Sequence, residues 1–275
     1  MDIVSRVRDR YGSEGVSGIV SSSYRVLERR ALQFYYDRTH TAKTDSSPYK
    51  LLLVDPHDIE YVSGVCLERR GTGRHLEYVR WPWYLRFADY GDVIGGDWDV
   101  PRVKFTELSE WTLINERFGK GIPWEETSVY GDLVARIDRG NNVYGCSTVE
   151  ELHERFEYLS TLKESMASDG YRRTDTGSSP GVGVGRDSAA SLDEITVNIG
   201  RGGELLHHTN GRHRLALAKV LNISKVPVLV MVRHESWQRK RDRVRTGSET
   251  DHSHPDLADI RGSAEVTVSG VSNGR

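Results

Sequence analysis

Residues 204–234 read ELLHHTNGRHRLALAKVLNISKVPVLVMVRH. Glu204–His208 has the make-up of a strand, and Asn210-Gly211 is a turn signal. Arg212–Leu221 follows as a helix that buries Leu215, Ala216, Ala218 and Leu221 or their close neighbours. Val226–Val232 is a continuous apolar run, as expected of a strand covered on both faces. Upstream, Ile195–Ile199 alternates like a strand, and Gly200–Gly203 supplies a hairpin turn to Glu204. The helix start is chemically unusual. Arg212, His213 and Arg214 crowd donors onto a helix end that already carries free N–H groups and partial positive charge. An anion resting there makes the arrangement favourable, and a phosphate is the natural occupant. Asn210, Gly211, Arg212, His213 and Arg214 are therefore the expected binding residues. The competing reading is that Arg212 and Arg214 pair with surface acids, which contributes only about 0–1 kcal/mol per exposed pair.

The chain has 275 residues and a net charge of −2, so global charge selects no partner. Its distribution is more informative: residues 201–245 hold eleven Lys/Arg against three acids, leaving the remainder near −10. A basic strip inside an acidic chain points to phosphate, nucleotide or nucleic acid. Within it, Arg239, Lys240, Arg241, Arg243 and Arg245 could track a nucleic-acid backbone or anionic lipid, or belong to a disordered basic extension. Two cysteines, Cys66 and Cys146, give neither a disulfide framework nor metal spacing. No apolar run approaches the roughly 20 residues of a membrane helix, and no signal-peptide core is present. A cytoplasmic location is expected, with peripheral membrane contact possible through residues 1–38. Apolar stripes at Ile3, Val4, Val7, Tyr11 and at Val20, Tyr24, Leu27, Ala31 predict two amphipathic helices there, which can equally pack on the chain's own domain.

Lys50–Val54 predicts a short strand stopped by Asp55-Pro56, and Asp58–Val62 predicts another extended stretch. Five of the six Trp fall in residues 78–124 around Gly95-Gly96-Asp97-Trp98-Asp99. Asp97 and Asp99 are candidates for a general base or a metal ligand, or are simply part of a turn whose Trp anchors the core. Helices are expected over Glu107–Phe118 and Glu125–Asp138, each closed by a glycine. A longer one is expected over Val149–Asp169, with Ser147 and Glu150 forming a capping box and Gly170 closing it. Gly181–Gly185 lacks the Gly-Lys-Ser/Thr of a phosphate loop and reads as a flexible loop or lid.

The segment Ile195–Val232 resembles the nucleotide-binding part of the ParB/sulfiredoxin superfamily, through its strand–hairpin–strand, Gly-Arg-His-Arg helix start and closing Val-Pro-Val strand. The resemblance implies an α/β (α+β) fold with a small mixed sheet over residues 46–238. Within it, about 65–145 is a largely helical, Trp-rich insertion. Residues 1–45 form an N-terminal helical segment and linker, and 239–275 a basic, then polar, disordered tail. It also implies a nucleotide such as ATP or CTP with Mg2+ held at Asn210–Arg214, and phosphoryl transfer if the chain is an enzyme. Two departures narrow this. Arg212 stands where sulfiredoxins carry their reactive cysteine, and Asn210 replaces the acid of the small-molecule kinases' Asp-Gly-His-His-Arg. No general base is singled out by the sequence; Asp97, Asp99 and Glu204 are candidates for a catalytic carboxylate. His207, His208 and His213 lack a completing Cys or carboxylate for zinc, and nothing points to haem.

Overall fold

The computed structural model describes residues 44–47, 50–63, 67–69, 76–78, 91–100, 102–172 and 194–260. The amphipathic stripes of 1–38, the Gly181–Gly185 loop and residues 261–275 lie outside them. The fold is mixed α/β. Nine strands are described: β1 (Leu51–Val54), β2 (Tyr61–Ser63), β3 (Leu67–Arg69), β4 (Leu76–Tyr78), β5 (Asp92–Ile94), β6 (Arg102–Lys104), β7 (Ile195–Ile199), β8 (Leu205–His207) and β9 (Val226–His234). Five α-helices accompany them: α1 (Ser109–Ile114, continuing as a π turn to Gly119), α2 (Tyr130–Asp138), α3 (Val149–Asp169), α4 (Arg212–Val220) and α5 (Glu235–Arg245).

Seven of the strands make one mixed sheet in the order β1-β9-β7-β8-β2-β6, with β5 also on β9. The long strand β9 organises it. Its first half pairs antiparallel with β1 (Val54↔Val226 to Leu51↔Leu229) and its last residues pair parallel with β5 (Asp92↔Val232 to Ile94↔His234). Along its other edge it runs parallel to β7. All nine of its residues are buried, as the apolar run required, including Arg233 and His234 beyond the predicted end. The Gly200–Gly203 turn joins β7 to β8 as expected, Gly203 N–H donating to the Gly200 carbonyl at 3.1 Å.

The described part of the stretch 65–145 contributes to this sheet. It supplies β5 and β6, and its Phe105, Leu108, Leu113, Ile114 and Leu133 are fully buried in the same core as Leu215 and Val228. Full burial of such side chains contributes about 1.5–3 kcal/mol each. The core-facing stripe of α3 is Leu152, Phe156, Leu159 and Met166, with Phe156 stacked on Trp124 at 4.5 Å. Its cap differs by one residue from the expected Ser147/Glu150 pair. Thr148 accepts from Glu151 N–H at 3.2 Å, while the Glu151 carboxylate accepts from Ser147 N–H at 2.6 Å.

The expected disordered tail over 239–275 is overturned for residues 239–260. There the chain forms α5 and a 3-10 turn over Pro255–Leu257, with Trp237, Arg241, Val244, Asp256, Leu257 and Ile260 buried. The cause is electrostatic. Arg241 binds Asp45 through Nε at 2.7 Å and Nη2 at 3.0 Å, and also Asp259. Opposite charges brought from both ends of the chain allow a basic segment to pack as a helix.

Candidate functional site

The turn into α4 is fixed before any side chain of the helix is placed. Thr196 on β7 clamps it: its Oγ1 accepts from Thr209 N–H (3.2 Å) and Asn210 N–H (2.8 Å), and its own N–H donates to the Asn210 carbonyl at 3.2 Å. His207 on β8 donates Nε2–H to the same carbonyl at 3.0 Å. Burial, with the Arg212 charge next, pushes the pKa of His207 down to about 3, so the ring is neutral and this tautomer is held. Gly211 is then the left-handed N-cap of α4 (φ 80°), and it brings no side-chain oxygen to the first turn of the helix.

Beside this turn lies a half-open cavity of about 210 Å³, lined by Arg155, Tyr158, Leu159 and Leu162 of α3 and by residues 209–214. The structure thus brings all five expected binding residues to one hollow. No carboxylate is among the lining side chains. The two arginines are anchored from behind. Arg212 Nη1 lies 2.8 Å from Glu110 of α1, and Arg214 Nη1 lies 3.5 Å from Glu194 and 3.1 Å from the Tyr171 hydroxyl. That hydroxyl donates to Glu194 at 2.8 Å. These are not the surface acids of the competing sequence reading, because the carboxylates are 2% and 1% exposed while the arginine side chains keep 29% and 20%. A guanidinium has five donors in a rigid fork, so a buried carboxylate on one edge orients it without using it up.

His213 contributes no positive charge. Burial, reinforced by Arg155 and Arg212, pushes its pKa well below the imidazole range, and its ring meets Tyr144 edge-on at 4.7 Å. Its Nε2 and the Nε of Arg155 are both buried without a hydrogen-bond partner. Each such orphan costs about 1–3 kcal/mol.

The candidate carboxylates gather elsewhere. Asp99 is fully buried and takes Arg201 Nε and Nη2 together with its backbone N–H; Asp97 takes Arg201 Nη2 at 2.7 Å; Glu204 accepts from Gly202 N–H at 3.0 Å. Burial would raise the Asp99 pKa, but the Arg201 hydrogen bonds outweigh it and hold it at about 2. This cluster ties the Gly200–Gly203 turn to the Gly95–Asp99 turn. Gly211 abuts Ile195 at the opposite end of β7, roughly 15 Å away at about 3.3 Å per residue. Asp97, Asp99 and Glu204 are therefore not brought to the cavity. The half-buried Trp98 lies over His234 at 5.8 Å, and it is Asp99 rather than the Trp that anchors this turn in the interior.

The basic run of α5 is matched by acids of its own neighbourhood: Arg239 with Glu235, Lys240 with Asp251, Arg243 with Glu249 and Arg245 with Asp242. Arg241 is buried. His207 and His208 point to different partners, the Asn210 carbonyl and Asn198. Among the described residues no group of three metal-binding side chains occurs, and no helix is long and apolar enough to cross a membrane. Comparison of the chain with family models, curated proteins and solved structures returns no match.

The neutral His207 makes the site's frame pH-dependent. Its folded pKa lies below the unfolded one, near 6.5, so its contribution is complete above about pH 6.5 and is lost as pH falls toward 3. His213 acts in the same direction. Guanidinium unfolding at pH 7, 6 and 5 should show stability falling with pH, His207 giving an increment that approaches about 1.4 kcal/mol per unit only below about pH 6 and His213 acting in the same direction. His207→Gln, which retains a donor for the Asn210 carbonyl, should remove one such increment. An unchanged slope would contradict the assignment.

Proposed function

We propose that the chain binds a phosphorylated small molecule of the nucleotide class at Asn210–Arg214, in a domain of ParB/sulfiredoxin-like type. The observation that carries the reading is the cavity at the start of α4, where a left-handed glycine, an N-terminal helix end and two carboxylate-anchored arginines meet with no acid on the lining. The field there favours an anion, and α4 is long enough at nine residues for its end to carry appreciable positive character. The family-like reading draws support from chain order: β7, hairpin, β8, Gly-Arg-His-Arg, α4, then the Val-Pro-Val strand β9.

Binding rather than a reaction is what the geometry favours. The three carboxylates the sequence offers as bases sit at the far end of β7, and two of them hold Arg201. In phosphoryl transfer a base must reach the attacking hydroxyl directly or through one water. ATP or CTP with Mg2+ remains a ligand to test beside simpler phosphates.

Titration calorimetry with inorganic phosphate, ATP and CTP should register binding that weakens roughly 10- to 100-fold in Arg214→Gln, as expected for a lost charge-assisted hydrogen bond of about 1.5–3 kcal/mol. Thermal unfolding of the same variant checks that Glu194 and Tyr171 still hold the fold. Absence of binding for every phosphate compound at millimolar concentration overturns the reading.

A further inference from the structure

We propose that Arg155 and Tyr158, both on α3 and outside the glycine-arginine turn, select the ligand: a phosphate monoester carrying a planar ring, bound without a divalent cation. The inference rests on the phosphate reading above and adds what the second wall of the cavity would recognise.

The size of the hollow comes first. About 210 Å³ is below the roughly 300–1,000 Å³ that encloses a drug-sized ligand, so the space takes a phosphoryl group and the atoms next to it. The remainder of the molecule must leave through the mouth. Tyr158 lines the cavity and is 52% exposed. The other large exposed apolar side chains among the described residues, Leu53, Ile94 and Val100, do not line it. Behind Tyr158 the wall is apolar, with Leu159 buried and Leu162 half-buried.

Arg155 joins the two halves. Its guanidinium carbon lies 4.9 Å from the centre of the Tyr158 ring, one turn away on α3, and its Nε is buried without a hydrogen-bond partner. A cation over one face steadies the ring and also adds a positive charge to the cavity wall. A planar group on the ring's free surface gains stacking that tolerates many ring types.

The donor set argues against a metal-bridged triphosphate. Magnesium is usually held by one or two carboxylates together with phosphate oxygens. The cavity lining offers none, and Glu110 and Glu194 behind it are buried against Arg212 and Arg214. A monoester phosphate bears about −1.5 to −2 charges at neutral pH. Guanidinium groups and a helix end can neutralise it directly.

The test compares AMP, CMP, ribose 5-phosphate and ATP on the full chain, in EDTA and in Mg2+. The expected result is AMP and CMP binding roughly tenfold or more tighter than ribose 5-phosphate, with EDTA making no difference. Tyr158→Ala, a substitution at a half-exposed surface position, should bring AMP down to the level of ribose 5-phosphate and leave the latter unchanged. Arg155→Gln should weaken both. If AMP is no tighter than ribose 5-phosphate, if Tyr158→Ala changes nothing, or if binding requires Mg2+, this inference is overturned while the phosphate site stands. If no phosphate ester binds, or if Arg214→Gln is without effect, the underlying reading fails instead.

Discussion

Asp256→Ala should destabilise the protein by about 3–5 kcal/mol, read as a lower denaturant midpoint at constant slope. The Asp256 carboxylate is completely buried. It accepts from Arg233 Nε at 3.0 Å and Nη2 at 2.6 Å and from Trp237 Nε1 at 3.0 Å, with Lys50 Nζ at 3.4 Å. Burial would raise its pKa, but Arg233, Lys50 and Arg241 pull it far below the usual carboxylate range, so it is ionised throughout the physiological range. Removing it leaves the Arg233 guanidinium, 1% exposed in the middle of the sheet, without its counter-charge. The penalty then comes from an uncompensated buried cation rather than from the lost contact itself. Arg239→Ala is the natural control, because its pair with Glu235 is more than half exposed and should matter by only about 0.3–0.5 kcal/mol. The double variant Asp256→Ala with Arg233→Met should recover much of the loss, since an apolar replacement of a buried pair removes the stranded charge. A loss below about 1 kcal/mol in Asp256→Ala would show that the cluster is not what secures residues 254–260 to the sheet.

The same cluster explains what the sequence could not reveal. Periodicity found β7, the hairpin, α4 and β9 within two residues, because their apolar positions follow the strand and helix repeats directly. It missed α5. The buried side of that helix runs Trp237, Arg241, Val244, and a pattern with arginine at its centre reads as solvated. Only the arrival of Asp45, Asp256 and Asp259 makes Arg241 an interior residue, and no local signal announces a neutralisation across 196 residues. The candidate site divides in the same way. Arg212 and Arg214 stand out against the helix dipole. Glu110, 102 residues earlier on a short helix, and Glu194, in front of β7, carry no mark that they would orient those arginines. Arg155 and Tyr158 fall outside the apolar repeat of α3 and carry no local mark of a binding role. Only packing α3 against α4 places them on the wall of the cavity.

Gly211→Ala should have an effect comparable to loss of Asp256, but concentrated on the site. Two independent penalties meet at this residue. Its φ of 80° lies in the left-handed region, which costs an L-residue about 1–2 kcal/mol. An added Cβ would also lie 2.8 Å from the Ile195 Cα and 2.8 Å from its Cγ1. The first obstacle is backbone at the head of β7, so it cannot rotate away. Relief requires α4 to retreat from the sheet, and the retreat must break the Thr196 clamp on Thr209 and Asn210 or tilt the first turn of the helix. Either outcome moves Arg212 and Arg214 relative to Glu110 and Glu194. The expected result is a destabilisation of about 2–4 kcal/mol together with loss of phosphate binding in the protein that remains folded. Ile195→Ala removes the Cγ1 but leaves the Cα in place, so in a double-mutant cycle with Gly211→Ala it should recover only a minor part of the Gly211→Ala loss. Full recovery in that cycle would locate the conflict in the side chain and remove the backbone argument. A Gly211→Ala protein that binds phosphate normally would show that the close approach of α4 to β7 is not what shapes the cavity.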